Sequence, residues 1–295
     1  MRRRANVLSG LSIDRAAGLR TNPERLAEAW CRAETRVLPV WRSKHFVVSE
    51  ELSRVAFVGP ERFPGFEEAI LLGEGDGAVY FAVDVSHVEQ PLAELGLDEL
   101  HTVLGLREVA SLLPQAEGAL LAYANGMSSW HQRHRFCSVC GCETVSAQAG
   151  HVRECTACGE IHFPRTDPAV IMLVTRDDEC LLGRQAAWPE KVHSTLAGFV
   201  EPGESLEEAV AREVYEEAGI KVEDVQYHSS QPWPFPGSLM LGFTAVATTR
   251  DIVLQTEELE AARWFRADEL REQEVVKLPS EISIARRLIE DWLEG

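Results

Sequence analysis

A chain of 295 residues exceeds the usual size of one domain, so two or more domains are expected. With 45% hydrophobic and 26% charged residues it has the make-up of a globular protein with a sizeable core, and no run approaches the roughly 18–20 apolar residues of a membrane span. A formal net charge of −18 argues against a non-specific nucleic-acid binder, DNA included, yet leaves room for a nucleotide held locally through metal ions.

The first twenty residues, MRRRANVLSGLSIDRAAGLR, are basic but lack the apolar core of a secretory signal; the expected reading is an ordinary cytoplasmic N-terminus, with a transit peptide as the alternative. Residues 35–48 and 54–58 are expected as strands, and 69–72 with 78–85 as a hairpin across a Gly-Glu-Gly-Asp-Gly turn. Helical patterns follow over 97–112 and 115–133, the second running straight into a cysteine-rich segment. Beyond that segment, 169–175 and 179–185 read as a hairpin across Arg176-Asp177-Asp178. A helix over 206–218, strands near 221–228, 238–249 and 260–266, and a last amphipathic helix over 280–293 capped by Ser280 complete the chain. Strands on either side of a helix, with another helix at the end, predict an α/β fold: a mixed sheet sandwiched between helices. The expected division is an α+β domain over 1–132, a zinc ribbon over 133–165 and an α/β/α domain over 166–295.

Five of the seven cysteines lie within 22 residues. Cys137-x-x-Cys140 and Cys155-x-x-Cys158, each followed directly by glycine, are the two knuckles of a tetrahedral Cys₄ zinc site. Cys142 is a spare thiol beside the first knuckle, and His131, His134, His151 and His162 are rival ligands that a complete cysteine set makes unnecessary. Cys31 and Cys180, alone in apolar surroundings, read as packing residues; free thiols with zinc imply a reducing compartment.

The chemistry-bearing segment is 198–220, GFVEPGESLEEAVAREVYEEAGI. Pro202-Gly203 makes an entry turn, Ser205 with Glu208 forms a capping box, and Gly219 stops the helix. Leu206, Val210 and Val214 fall on one apolar stripe, while Glu213, Glu216 and Glu217 stand at i, i+3 and i+4 beside it. A merely solvated acidic helix would place its carboxylates opposite the stripe. Three carboxylates this close repel unless a cation sits among them, and oxygen-only ligands suit a hard ion such as Mg²⁺ or Mn²⁺.

Gly198, Glu204, Arg212-Glu213-Val214, Glu216-Glu217, Gly219 and Ile220 together resemble the box of the Nudix hydrolase superfamily without a departure. Ser230-Gln231-Pro232-Trp233-Pro234-Phe235-Pro236-Gly237-Ser238 narrows the resemblance. Prolines alternating with aromatics make a stiff extended loop, and this one is similar to the signature of the NADH pyrophosphatase (NudC-type) branch. The Cys₄ ribbon just before the box and the segment Ile284–Glu290 in the last helix resemble that branch too. The likeness is specific over about 115–295 and loose before it.

That resemblance implies roles position by position. Glu213, Glu216, Glu217, the Ala197 carbonyl and Glu258, in Thr256-Glu257-Glu258-Leu259, would hold catalytic Mg²⁺ or Mn²⁺, with Arg212 orienting the carboxylates. Glu257 and Glu260 flank Glu258 as competing assignments, and Glu216, Glu217 and Glu258 are each candidates for the general base. Gln231, Pro232, Trp233, Pro234, Phe235, Pro236, Gly237 and Ser238 would contact a dinucleotide, Phe199 would stack near its nicotinamide, and Ala285 would line the pocket. Phe163 departs from a branch of the family that carries tyrosine there: stacking survives the change, a phenolic hydroxyl role does not.

The implied activity is hydrolysis of the pyrophosphate bond of NAD(H), to nicotinamide mononucleotide and AMP, and of NAD-capped RNA 5′ ends. The implied assembly is a homodimer, with one structural Zn²⁺ per chain. Two other readings are a Nudix enzyme preferring ADP-ribose or a dinucleoside polyphosphate, and a non-catalytic nucleotide sensor using the ribbon. The proline-aromatic loop disfavours the first; the intact glutamates and the net charge of −18 speak against the second.

Overall fold

A computed structural model describes residues 5–48, 54–254 and 258–295. Met1–Arg4 of the basic start, and Thr256 and Glu257 beside Glu258, lie outside the described residues. Contacts divide the chain into two units: one of Leu8–Thr166 with Trp233–Gly237, the other of Asp167–Pro232 and Ser238–Gly295 with the chain start.

The first unit opens with helix α1 (Pro23–Trp30), whose Asn22 side chain accepts from the Arg25 N–H and whose proline occupies the first helical position. The stretch expected as one strand over 35–48 is a hairpin, β1 (Thr35–Trp41) and β2 (Lys44–Val48), because Arg42 and Ser43 both take positive φ. The expected strand over 54–58 does not form. Val55 bridges Val47 while Val58 bridges Val37, so no single partner strand builds a ladder. Strands β3 (Ile70–Gly75) and β4 (Ala78–Asp84) form the anticipated hairpin, its turn shortened to Asp76-Gly77.

After a short helix α2 (Pro91–Glu94), the predicted helix over 97–112 is replaced by strand β5 (His101–Gly105) and a single turn α3 (Leu106–Val109). Pairing of Thr102 and Val103 with the edge of β2 outweighs local periodicity there. Helix α4 (Gln115–Arg133) falls where the pattern places it. The sheet order is β3-β4-β1-β2-β5, with Phe46, Phe81, Leu71 and Trp30 in its core. The cysteine segment contributes a small sheet of β6 (Thr144–Ala147), β7 (Val152–Cys155) and β8 (Ile161–His162).

The second unit is the expected mixed sheet between helices. Its strands are β9 (Asp167–Arg176), β10 (Glu179–Arg184) and β11 (Leu196–Phe199), then, after helix α5 (Leu206–Ala218), β12 (Val222–Trp233), β13 (Ser238–Ala247) and β14 (Ala261–Arg266). The order is β12-β13-β9-β10-β14, with β11 on β9; β13 runs parallel to β9 and β10 antiparallel. Helices α6 (Ala267–Glu272) and α7 (Ile284–Glu294) end the chain. Alternation along β9 serves both faces: Val170, Met172 and Val174 pack with Ala209, Val210 and Val214 of α5, whereas Ile171 and Leu173 pack with Ala285, Leu288 and Ile289 of α7.

Two boundaries differ from expectation for one reason. The extended loop at 230–238 begins as strand, since β12 continues through Trp233, and α7 is capped by Ser283 rather than Ser280. Gln231 joins both. Its amide nitrogen donates to the Ile282 carbonyl at 2.7 Å and its amide oxygen accepts from the Ile284 N–H at 2.8 Å, which fixes the backbone where the helix begins.

Candidate active site and metal centres

Helix α5 begins and ends as its sequence dictates. Ser205 Oγ accepts from the Glu208 N–H, the Glu208 carboxylate accepts from the Ser205 N–H, and Gly203 and Gly219 supply the positive φ values of the entry turn and the stop. Arg212 is the hub of the face so presented. Its guanidinium donates to Glu204 at 2.6 and 3.0 Å, to Glu213 at 2.8 Å, to Glu216 at 3.0 Å and to the Phe199 carbonyl at 2.9 Å. That fork, with the Glu201 N–H, holds Glu204 down to about 2 and pushes the arginine's own pKa up. Close packing requires Gly198 opposite: a Cβ there would lie 1.9 Å from the Glu213 carboxyl.

Glu217 is different in kind. Only 4% exposed, it receives no bond from Arg212, and its Oε2 has no hydrogen-bond partner among the described residues. Burial first, then the neighbouring charges of Glu213 and Glu258, push its pKa up to about 8 against the opposing pull of the Ala197 backbone N–H. Glu213 is raised as well, by burial ahead of charge repulsion and against Arg212. Glu258 lies within electrostatic reach of both, and Ala197 meets Glu217 through its backbone N–H. A buried carboxylate oxygen without a partner, among other carboxylates, fits a divalent cation and is costly without one.

The zinc set closes as read. The thiol sulfurs of Cys137, Cys140, Cys155 and Cys158 all lie within 4.8 Å of one another, and Cys142 stands outside the group. Gly141 and Gly159 turn the two knuckles at φ 76° and 72°. The N–H of Val139 points at the Cys137 sulfur, and those of Ala157 and Cys158 at Cys155, the polarity a thiolate ligand wants. His131, His134 and His151 are engaged by the carbonyls of Gly150, Trp130 and Leu71, which leaves His162, 3.4 Å from the Cys137 sulfur, as a neighbour of the set.

The remaining predicted contacts separate into three groups. Phe199 and Phe163 carry exposed rings, 60% and 67% accessible, free to stack on a ligand. Gln231 is 0% exposed, its amide bonded to the carbonyls of Val7 and Ile282 and the N–H of Ile284, so its expected substrate contact gives way to a framework role. Ala285 is likewise buried in the core beneath α7. Pro232 on β12 and Ser238, the first residue of β13, belong to one unit, while Trp233, Pro234, Phe235, Pro236 and Gly237 cluster with the other. Trp233 and Phe235 pack edge to face at 5.0 Å. Sequence reasoning missed Arg107, whose guanidinium lies over both rings, and Asn125, which donates to the Pro234 carbonyl at 2.8 Å; neither carries a motif that could have shown it. A cavity of about 730 Å³ in the first unit, bounded by Arg62, Phe63, Val85, Ser128 and Arg153, shares no residue with the glutamate cluster.

Comparison with known proteins bears on these features. Three family models match in succession: an NADH pyrophosphatase-like rudimentary NUDIX domain at 34–130, an NADH pyrophosphatase zinc ribbon domain at 132–163 and a NUDIX domain at 165–288. The NAD-capped RNA hydrolase NudC of Mycobacterium bovis (strain BCG / Pasteur 1173P2) is 37% identical over 97% of this chain and 94% of its own. That of Stutzerimonas stutzeri (strain A1501) is 49% identical over 64% of this chain and 67% of its own. The NAD-capped RNA hydrolase NUDT12 of Macaca fascicularis is 41% identical over 61% of this chain and 43% of its own.

Proposed function

The chain belongs to the NudC-type hydrolases of the Nudix superfamily, and on that premise we propose that it cleaves the pyrophosphate bond of NAD(H) and of NAD-capped RNA 5′ ends. The products are nicotinamide mononucleotide with AMP, or a 5′-monophosphate RNA. The observation that carries the reading is the Glu213-Glu216-Glu217 face, with its buried Glu217 oxygen lacking a hydrogen-bond partner among the described residues. Divalent Mg²⁺ or Mn²⁺ held by Glu213, Glu216, Glu217, Glu258 and the Ala197 carbonyl would supply neutralisation of the diphosphate charge and a lowered pKa for water.

The chain's own residues do the rest. Arg212 fixes the directions in which Glu204, Glu213 and Glu216 point. One of Glu216, Glu217 and Glu258 accepts the proton of the attacking water on a carboxylate oxygen, as its oxygen bonds to phosphorus and the bridging phosphorus–oxygen bond breaks. Phe199 and the rings of Trp233 and Phe235 are assigned to the dinucleotide's flat groups, for which stacking is the cheapest recognition. Phe163 serves the same end without a hydroxyl. The ribbon zinc is structural, because four thiolates leave no open coordination position.

We place the protein in the cytoplasm, where the ribbon thiols stay reduced, and as a homodimer. Supporting the dimer are Phe136, Val139, Val145, Ile161 and Phe163, large apolar side chains exposed in or beside the ribbon. The functional division proposed is 1–132, 133–165 and 166–295. Parallel product analysis with NADH, ADP-ribose and NAD-capped RNA tests the activity. Cleavage of NADH and of the capped RNA at the pyrophosphate is expected; turnover of ADP-ribose with neither of the others cleaved overturns it.

A further inference from the structure

Trp233–Gly237 joins β12 to β13, and two of its five residues are prolines without an N–H. Such a tip has few internal bonds with which to hold its aromatic rings. What holds them comes from elsewhere in the same unit. Asn125, buried on α4, donates to the Pro234 carbonyl at 2.8 Å, and Gly126 lies against the Pro234 ring. Arg107, on the short turn α3, lays its guanidinium 4.4 Å from the centre of the Phe235 ring and 5.5 Å from that of Trp233. The turn is itself pinned: the Gly105 N–H donates to the Glu108 carboxylate at 2.6 Å.

Arg107, like Arg36 over Phe57 and Tyr80, holds aromatic rings rather than a carboxylate. Against 47 acidic residues in the sequence, no carboxylate among the described residues pairs with it, and it remains exposed. A guanidinium is weakly hydrated and planar, so it can lie flat against two rings, a fit that a compact, strongly hydrated ammonium lacks.

We propose that Arg107 is a positioning residue for dinucleotide recognition: it sets the orientation of Trp233 and Phe235 and so the preference for substrates with a nicotinamide ring over those without one. Asn125 fixes the backbone beneath. This rests on the reading that the Trp233–Gly237 tip contacts the dinucleotide.

The test is a double-mutant cycle of Arg107→Ala and Trp233→Ala, read as the ratio of kcat/KM for NADH to that for ADP-ribose, with Arg107→Lys alongside. Arg107 is exposed, so its replacement leaves the fold standing, and zinc content and Tm check this. Arg107→Ala is expected to lower the ratio roughly three- to fivefold, chiefly through KM, the range of an exposed cation–π contact. Arg107→Lys keeps the charge yet should not restore it. In the Trp233→Ala background the Arg107 effect should shrink to the part carried by Phe235, because a residue acting through another is not additive with it. An unchanged ratio in Arg107→Ala, equal losses on both substrates, or full additivity overturns the proposal while Trp233→Ala still lowers the ratio. Should Trp233→Ala itself leave the ratio unchanged, the underlying reading of the tip falls and the proposal with it.

Discussion

Glu217→Gln should make the metal-free protein more stable at alkaline pH while abolishing turnover. In the folded chain burial and the charges of Glu213 and Glu258 push Glu217 from its ordinary 4.5 up to about 8. The unfolded chain releases that proton near the ordinary value. Below it both states are protonated and the stabilisation is fully present. Between it and about 8 only the unfolded state is ionised, so stability falls as pH rises, and the loss is complete above the folded pKa. At ~1.4 kcal/mol per pH unit the loss is about 5 kcal/mol. A glutamine does not titrate but buries amide N–H groups where Oε2 has no partner, at a cost of about 2 kcal/mol. The variant should therefore melt higher than the parent at pH 9, by about 3 kcal/mol or roughly 6–12 °C, and slightly lower at pH 5. Calorimetry in buffer free of Mg²⁺ and Mn²⁺, with no chelator so that ribbon zinc stays, reads the crossing. Parallel melting of the two proteins across that pH range refutes the argument, as does a glutamine variant that keeps its rate with either metal.

Gly198→Ala should cost at least about a hundredfold in kcat/KM, since its Cβ would sit 1.9 Å from the Glu213 carboxyl and a misplacement of ~1 Å is enough for that loss; an active alanine variant shows that the close approach is dispensable. Metal analysis should find about one Zn²⁺ per chain, and Cys155→Ser should lose it together with Tm or solubility before chemistry changes; a zinc-free protein melting like its parent would remove the ribbon assignment. Arg212→Lys should drop kcat with little change in Tm, because a point charge cannot make the fork to Glu204, Glu213 and Glu216 at once; unchanged kinetics would reduce Arg212 to a surface cation. On NAD-capped RNA, kcat/KM should vary shallowly with salt and unpaired ends should react faster than paired ones, for want of a basic tract; a steep salt slope points to an extended RNA groove instead.

Local chemistry made helix α5 legible to the residue, since its capping box and stop glycine are decided within the segment itself. The cysteine set was legible for the same reason: spacing within each knuckle and the glycine after it determine the turn. What was not legible was decided at long range. β5 forms because β2 offers an open edge, against a helical pattern of its own. Gln231 sits in a motif that implies ligand contact, but its partners Val7, Ile282 and Ile284 come from the two ends of the chain. Helix α1 is a different omission, because Asn22-Pro23 announced it and the signal went unread. Glu217's burial was half visible: the helical wheel put it near the apolar stripe, while the partnerless oxygen needed the sheet beside it.

The division of labour between one cation and four carboxylates follows from reach. A guanidinium has five donors in a fixed plane, and Arg212 uses that plane on Glu204, Glu213, Glu216 and the Phe199 carbonyl. It stops short of Glu217, one turn further along the helix and on the buried side. If a second arginine reached Glu217, the carboxylate would be satisfied in the free protein and would gain little from an incoming ion. Withholding that partner leaves a carboxylate that is protonated near neutral pH when alone and ionised when a divalent cation arrives. Binding of a divalent ion there would then release a proton, and its affinity is expected to rise with pH up to about 8, where the free protein is least able to tolerate Glu217 uncompensated. The cost of burying Glu217 would thus be the source of the site's affinity for metal, and Gly198 lets β11 approach Glu213 beside it.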